Sequence, residues 1–328
     1  MTTAGSASGL DALGGPVALV FPGQGSQFVG MGRSLYESSA AARRVFDHAD
    51  EVLGFQLSRL CFDGPADVLE DTINAQPAIL TASVAALEAM RERAHSAGAK
   101  VQPMIVAGHS LGEFTALVAA GVIDFPSALR IVRERGRLMK EAGEERPGGM
   151  AAVIGLDRDT LAELVAQAEA DGIVALANDN CPGQSVISGE LGALQRAMDL
   201  AKQAGAKRVA RLGISIASHS PLMSRASQQL AEMLDRLPLQ APRVPVVANA
   251  TGAAMHTVEE IRLELAHHVE RPVNWTRSVR EMLDAGVATF VEVGPGQVLS
   301  GLIRRIEREA TVLGPADFGL PSDERVKG

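Results

Sequence analysis

Two short apolar runs, Val17 to Phe21 and Met104 to Ala107, stop abruptly at glycine, the first in Pro22-Gly23-Gln24-Gly25 and the second at Gly108. Runs this short and this apolar, bounded by Gly or Pro, read as strands buried on both faces. Helical spacing follows each of them, in Ser38 to Val52 and in Glu113 to Ala120, and Gly121 closes the second helix. Strand-then-helix alternation needs crossover connections, so the pattern predicts an α/β fold whose parallel sheet is covered on both faces. The runs Val244 to Val247 and Thr289 to Val293 resume it late in the chain, the latter ending at Gly294-Pro295-Gly296.

The middle of the chain reads differently. Beyond Gly143 to Gly149, which holds Pro147 and three glycines, come Met150 to Leu156 as strand, Arg158 to Ala170 as helix and Ile173 to Ala177 as strand. The unit repeats with Gln184 to Ser188, Leu191 to Ala204 and Lys207 to Leu212, together a split β-α-β arrangement. The expectation is a large discontinuous domain, residues 16–143 and 214–314, interrupted by a small subdomain at 144–213. The ends, 1–15 and 315–328, are rich in small residues or mix charge with Gly and Pro, and are expected to be flexible.

With 46% hydrophobic residues, a chain of 328 residues can bury a full core. Its 31 basic against 39 acidic residues give a formal charge of -8, the wrong sign for gripping a phosphate backbone, so no nucleic-acid partner is expected. No segment approaches the ~18 uncharged apolar residues of a spanning helix, and Met1 to Gly15 lacks the basic and apolar regions of a secretory signal. A cytoplasmic protein without membrane association follows. Cys61 and Cys181 stand far apart without metal-ligand spacing, which points to neither a disulfide framework nor a zinc site.

Gly108-His109-Ser110-Leu111-Gly112 fits Gly-x-Ser-x-Gly, in which flanking glycines let a strained strand-to-helix turn lift a serine hydroxyl clear of a sheet. A serine needs a base to act as nucleophile. His109 is excluded because neighbouring residues at a strand end point to opposite faces, and His48 and His95 sit among charged residues on surface helices. His219, in Ala217-Ser218-His219-Ser220-Pro221, stands at a plausible strand end and is the candidate base, a structural histidine being the alternative. Arg135 shares a helical stripe with Ile131, Val132, Leu138 and Met139, whereas Arg130, Arg133, Glu134 and Arg137 form the opposite face. An inward guanidinium needs a partner: a substrate carboxylate, a structural carboxylate such as Glu113, or solvent reached by snorkelling. Gly23-Gln24-Gly25 is no dinucleotide loop, because Phe28 stands where its third glycine belongs. A glycine-flanked turn can instead offer backbone N–H groups to an oxyanion.

These residues, in this order, resemble malonyl-CoA:acyl-carrier-protein transacylases and the related acyltransferase domains of polyketide synthases. The resemblance runs from Phe21-Pro22-Gly23-Gln24-Gly25-Ser26-Gln27 through Gly108 to Glu113, Arg135-Gly136 and Ser218-His219 to Pro272-Val273-Asn274-Trp275 and Glu292 to Gly296. It implies a hydrolase-like α/β domain carrying an inserted ferredoxin-like subdomain. It implies that Ser110 attacks the thioester, His219 takes its proton, and the N–H groups of Gln24 and Leu111 hold the oxyanion. Arg135 would bind the malonyl carboxylate, and a backbone carbonyl, counted back from Pro272 to His268, would orient the base. Met139 and Ser218 would line the acyl pocket. The implied substrates are malonyl-CoA and the phosphopantetheine thiol of an acyl carrier protein, with no cofactor or metal and the chain acting as a monomer. Ala217-Ser218-His219 keeps methylmalonyl-CoA open as an alternative, and the rival activities are a serine thioesterase or hydrolase and a non-catalytic carrier-docking module.

Overall fold

A computed structural model of the protein describes residues 15–323. Residues 1–14 and 324–328, most of the two ends expected to be flexible, lie outside the described residues. Along the chain run β1 (Val17–Phe21), α1 (Ala40–Leu53), α2 (Thr72–Ser96), β2 (Ile105–Gly108), α3 (Gly112–Ala119), α4 (Phe125–Glu145), β3 (Gly148–Ile154), α5 (Arg158–Ala168) and β4 (Val174–Cys181). There follow β5 (Gln184–Glu190), α6 (Leu191–Gln203), β6 (Arg208–Arg211), β7 (Val246–Val247), β8 (Ala254–Met255), β9 (Val273–Asn274), α7 (Trp275–Asp284), β10 (Thr289–Glu292), α8 (Val298–Ile306) and β11 (Thr311–Leu313), with further helices and turns between them.

The larger sheet has the order β11-β10-β1-β2-β7-β8 and is parallel except for the β7–β8 pair. Central β1 divides its side chains between two cores, as alternation along a strand requires. Val17, Leu19 and Phe21 pack into the core formed with α1, α2 and α3. Ala18 and Val20 pack on the other face, against Trp275 and Val279 of α7 and Leu299 and Ile303 of α8. This two-sided burial explains why the strands read as unbroken apolar runs.

The 25-residue α2 has no counterpart in the sequence reading, for a physical reason. Every residue from Ala75 to Leu87 is buried, so no polar face marks a helical period. Pro77 inside it further masks the signal.

The second sheet has the order β6-β3-β5-β4-β9; its first four strands pair antiparallel, and β9 joins β4 in parallel. Helices α5 and α6 cover one face, Leu161, Val165, Leu194 and Ala197 packing on Ala151, Val153 and Ile187. Strand β4 continues to Cys181, beyond its expected end at Ala177, through two register shifts, at Ala177 and at the polar Asn180, on either side of the paired Asn178 and Asp179. Bulged polar residues of this kind do not alternate, which hides the strand from its pattern.

Part of the end expected to be flexible carries local structure among the described residues. Residues Pro315–Phe318 form a single 3-10 turn, Phe318 is fully buried, and Arg93 Nε donates to the Phe318 carbonyl at 2.9 Å. Replacing Phe318 with alanine is expected to cost ~3–5 kcal/mol of stability, read as a lowered urea midpoint, and an unchanged midpoint would show that the segment only rests on the surface.

Candidate active site

The site begins with two glycines. A Cβ on Gly108 would lie 1.9 Å from the carbonyl carbon of Gly112, and one on Gly112 would lie 2.1 Å from the Phe21 carbonyl oxygen. Only bare backbone fits, so the end of β2 turns sharply against the end of β1 and into α3. Ser110 sits at the tip with φ 48°, a left-handed conformation costly for any residue with a side chain. Asn249, just beyond β7, holds the turn: its Nδ2 donates to the Gly108 carbonyl at 2.7 Å, and its Oδ1 accepts the Ser110 N–H at 2.6 Å. Sequence reasoning missed Asn249, whose only signal is a polar residue directly after an apolar run.

His219 is the only other non-glycine with positive φ among the described residues, at 58°. Its backbone N–H donates to the Val269 carbonyl, and its ring reaches Ser110, with Nε2 at 2.8 Å from Oγ. Nδ1 lies 2.8 Å from the carbonyl oxygen of Arg271. A carbonyl can only accept, so Nδ1 carries the proton and Nε2 is free to take one from the serine. The expected acceptor was the His268 carbonyl. The principal bond goes instead to Arg271, because the chain turns between the two residues, and the His268 carbonyl adds a weaker attraction to the same ring. His109 points elsewhere, its Nε2 at 2.8 Å from Asn180 Oδ1 on β4. His48 and His95 are exposed.

Arg135 is buried, as its place on the α4 stripe suggested. Gly136 beside it allows this: a Cβ there would lie 2.6 Å from the Thr72 carbonyl, so α4 packs directly on the start of α2. That contact brings Gln76 into the site, where its Oε1 accepts from Arg135 Nη1 at 2.7 Å. Nη2 donates to Ser110 Oγ at 3.2 Å, and Nε to His268 Nδ1 at 3.4 Å. Burial pulls the guanidinium down to about 9, opposed by the charge of Glu113, so it remains a cation at neutral pH.

Ser110, His219 and Arg135 face a cavity of about 460 Å³ between the two sheets. Gln24, Met139 and Ser218 line it from the large-sheet side, and Asn178, Asn180 and Val186 from the small sheet. Gln24 follows β1 in a turn, its side chain fixed by Thr72 Oγ1 at 3.0 Å. Leu111 is the first residue of the turn into α3, where backbone N–H groups lack intrahelical partners. Serine, histidine, arginine and Gln24 thus meet around one space, with Leu111 next to the serine in the chain, an arrangement suited to acyl transfer by a covalent route.

An acyl transferase domain model matches residues 18–316. The chain belongs to the acyl transferase domain family. It is 44% identical over 302 residues to a malonyl CoA-acyl carrier protein transacylase of Bacillus subtilis, covering 92% of this chain and 93% of that one. Among solved structures, an acyl carrier protein S-malonyltransferase from Vibrio cholerae is 42% identical with a TM-score of 0.86, over 92% of this chain and 96% of that one. A malonyl-transacylase solved in complex with a type II PKS acyl-carrier protein is 41% identical with a TM-score of 0.87 over the same shares.

Within this acyl transferase fold the His219 ring is kept uncharged. Burial is the main cause, with the Arg135 cation second, and together they hold His219 down at about 3. His109 and His268 are likewise lowered by burial. An unfolded histidine titrates near ~6.5, so the unfolded chain takes up the His219 proton first as pH falls. The stability contributed by neutral His219 is therefore whole above that value and is lost progressively towards about 3. Between about pH 6.5 and 5.5, wild type is expected to lose ~1 kcal/mol more stability than a His219→Gln variant. Paired urea melts check this, and parallel pH dependence of the two proteins would contradict it.

Proposed function

We propose that this chain moves a malonyl group from malonyl-CoA to the phosphopantetheine thiol of an acyl carrier protein through a seryl acyl-enzyme, in fatty-acid or polyketide synthesis. One observation carries the reading: Ser110 Oγ lies at once 2.8 Å from the neutral His219 and 3.2 Å from the buried Arg135 cation. A cation held beside a nucleophile serves an acyl group that brings its own negative charge. Three contacts occupy one N–H each on Nε, Nη1 and Nη2, leaving one on each terminal nitrogen for a carboxylate to take with both oxygens. A thioesterase of neutral acyl groups has no use for this. Its usual triad acid is also replaced here by the Arg271 carbonyl.

Ser110 Oγ attacks the thioester carbonyl carbon while its proton passes to His219 Nε2. The carbonyl oxygen becomes an oxyanion, for which the N–H groups of Gln24 and Leu111 are the proposed donors. The C–S bond then breaks, and the departing coenzyme A thiolate takes the proton from His219. In the second half, the carrier thiol gives its proton to His219 and its sulfur attacks the ester. The C–O bond breaks, and the proton returns to Ser110.

The thioester is activated as a substrate and the phosphopantetheine arrives on the partner, so no further cofactor is called for. We read the small sheet as a ferredoxin-like subdomain, since the order of its own four strands, β6-β3-β5-β4, is fourth-first-third-second in the chain. The parallel sheet with a serine elbow supports a hydrolase-like description of the rest. The proposed limits are 16–143 with 214–314 for the large domain and 144–213 for the small one.

Intact-mass spectrometry after incubation with malonyl-CoA should give a malonyl adduct that is absent from Ser110→Ala and discharged by a holo carrier protein. Arg135→Ala is expected to lower malonyl loading relative to acetyl loading by about 10- to 100-fold, the size of a lost charge-assisted pair. Discharge to water at the same rate with or without carrier would overturn the transferase reading.

A further inference from the structure

We propose that His268 is a positioning residue for Arg135, held as its Nε2–H tautomer between the guanidinium and the buried carboxyl group of Glu113. The inference deepens the malonyl-transfer reading and rests on it for the role of Arg135.

Arg135, His268 and Glu113 are 1%, 2% and 0% exposed, so their polar atoms have only one another and nearby protein groups to satisfy them. Arginine nitrogens can only donate. Since Arg135 Nε points at His268 Nδ1 from 3.4 Å, Nδ1 must present a lone pair. Burial, with the Arg135 cation as the next cause, keeps His268 neutral, which leaves its one N–H on Nε2. That nitrogen lies 3.1 Å from Glu113 Oε2, close enough for electrostatic attraction but too oblique for a hydrogen bond, and the Ser110 backbone carbonyl also attracts a proton on the ring. The polarity holds whether or not Glu113 is ionised, because a carboxyl group of either form keeps acceptor lone pairs. Phe114 closes the ring's edge at 5.1 Å between centroids and prevents it from turning freely.

The consequence lies at the guanidinium. Gln76 fixes Nη1 and His268 fixes Nε, so the fork cannot rotate about its own axis, and Nη2 stays over Ser110 Oγ. Without the acceptor at position 268 only Gln76 would steady it, and a carboxylate would meet an arginine of several orientations.

The first test is nitrogen-15 NMR of histidine-labelled free enzyme at neutral pH. The expected pattern for His268 is an unprotonated Nδ1 and a protonated Nε2; the reverse pattern, or an imidazolium, overturns the proposal. The second compares His268→Leu, which has no acceptor, with His268→Asn, whose Oδ1 restores one close to the Nδ1 position. The ratio of malonyl to acetyl loading of Ser110 should fall about tenfold in the leucine variant, through a raised KM for malonyl-CoA, and largely recover in the asparagine variant. Equal losses for both acyl groups, or equal behaviour of the two variants, would reduce His268 to packing. Should the leucine variant fail to fold, the wild-type tautomer decides alone. A wild-type enzyme that loaded acetyl as readily as malonyl would sink the malonyl reading while leaving the tautomer to decide the relay.

Discussion

The chemistry of this protein depends on two stretches of backbone touching with no side chain between them. At Gly108 and Gly112 the end of β2 and the start of α3 lie against the end of β1, and any Cβ there would overlap main-chain atoms. That contact turns the chain tightly enough to force Ser110 into a left-handed conformation, which the Asn249 amide then secures from both sides. The local cost, of order 1–3 kcal/mol for such a residue, is borne by the rest of the fold. Parallel strands buried on both faces, with separate cores above and below β1, leave the turn no room to relax.

The second sheet completes the site from the opposite side. His109, turned away from Ser110, reaches Asn180 on β4, and the Asn249 carbonyl accepts the N–H of Asn274 on β9. Because β9 pairs with β4, and Arg271 just before it supplies the acceptor for the His219 ring, the aim of that ring and the seating of the small sheet share one short segment. The cavity wall and the catalytic geometry are therefore fixed together.

Much of this was legible in the sequence. The strand-helix alternation, the inserted unit and the inward Arg135 could be read because apolar runs, glycine breaks and a misplaced charge are local signals. What was lost had lost its pattern. Helix α2 is buried all round from Ala75 to Leu87 and shows no period there; β4 is bulged and polar where it matters; and Phe318 is one aromatic in a stretch that otherwise looks unstructured. Asn249 and the carbonyl of Arg271 act through contacts between segments far apart in the chain, and a main-chain oxygen leaves no mark in residue type. His268 shows the same limit from the other direction: counting along a motif marked its carbonyl, while its side chain lies against Arg135 and Glu113.

The nearness of Arg135 to His219 joins substrate charge to base strength. In the free enzyme the guanidinium disfavours a proton on the imidazole. On the proposed reading, a carboxylate seated on that guanidinium would offset its charge, so the acyl group that fits best would also make the neighbouring nitrogen more willing to accept the serine proton. By thermodynamic reciprocity, a protonated His219 tightens the hold on the carboxylate by the same factor. An acyl group without a negative end forfeits both halves of this coupling. Discrimination would then be exerted in the chemical step as well as in binding, and an uncharged competitor in the pocket would still face a His219 ring that Arg135 disposes against a proton.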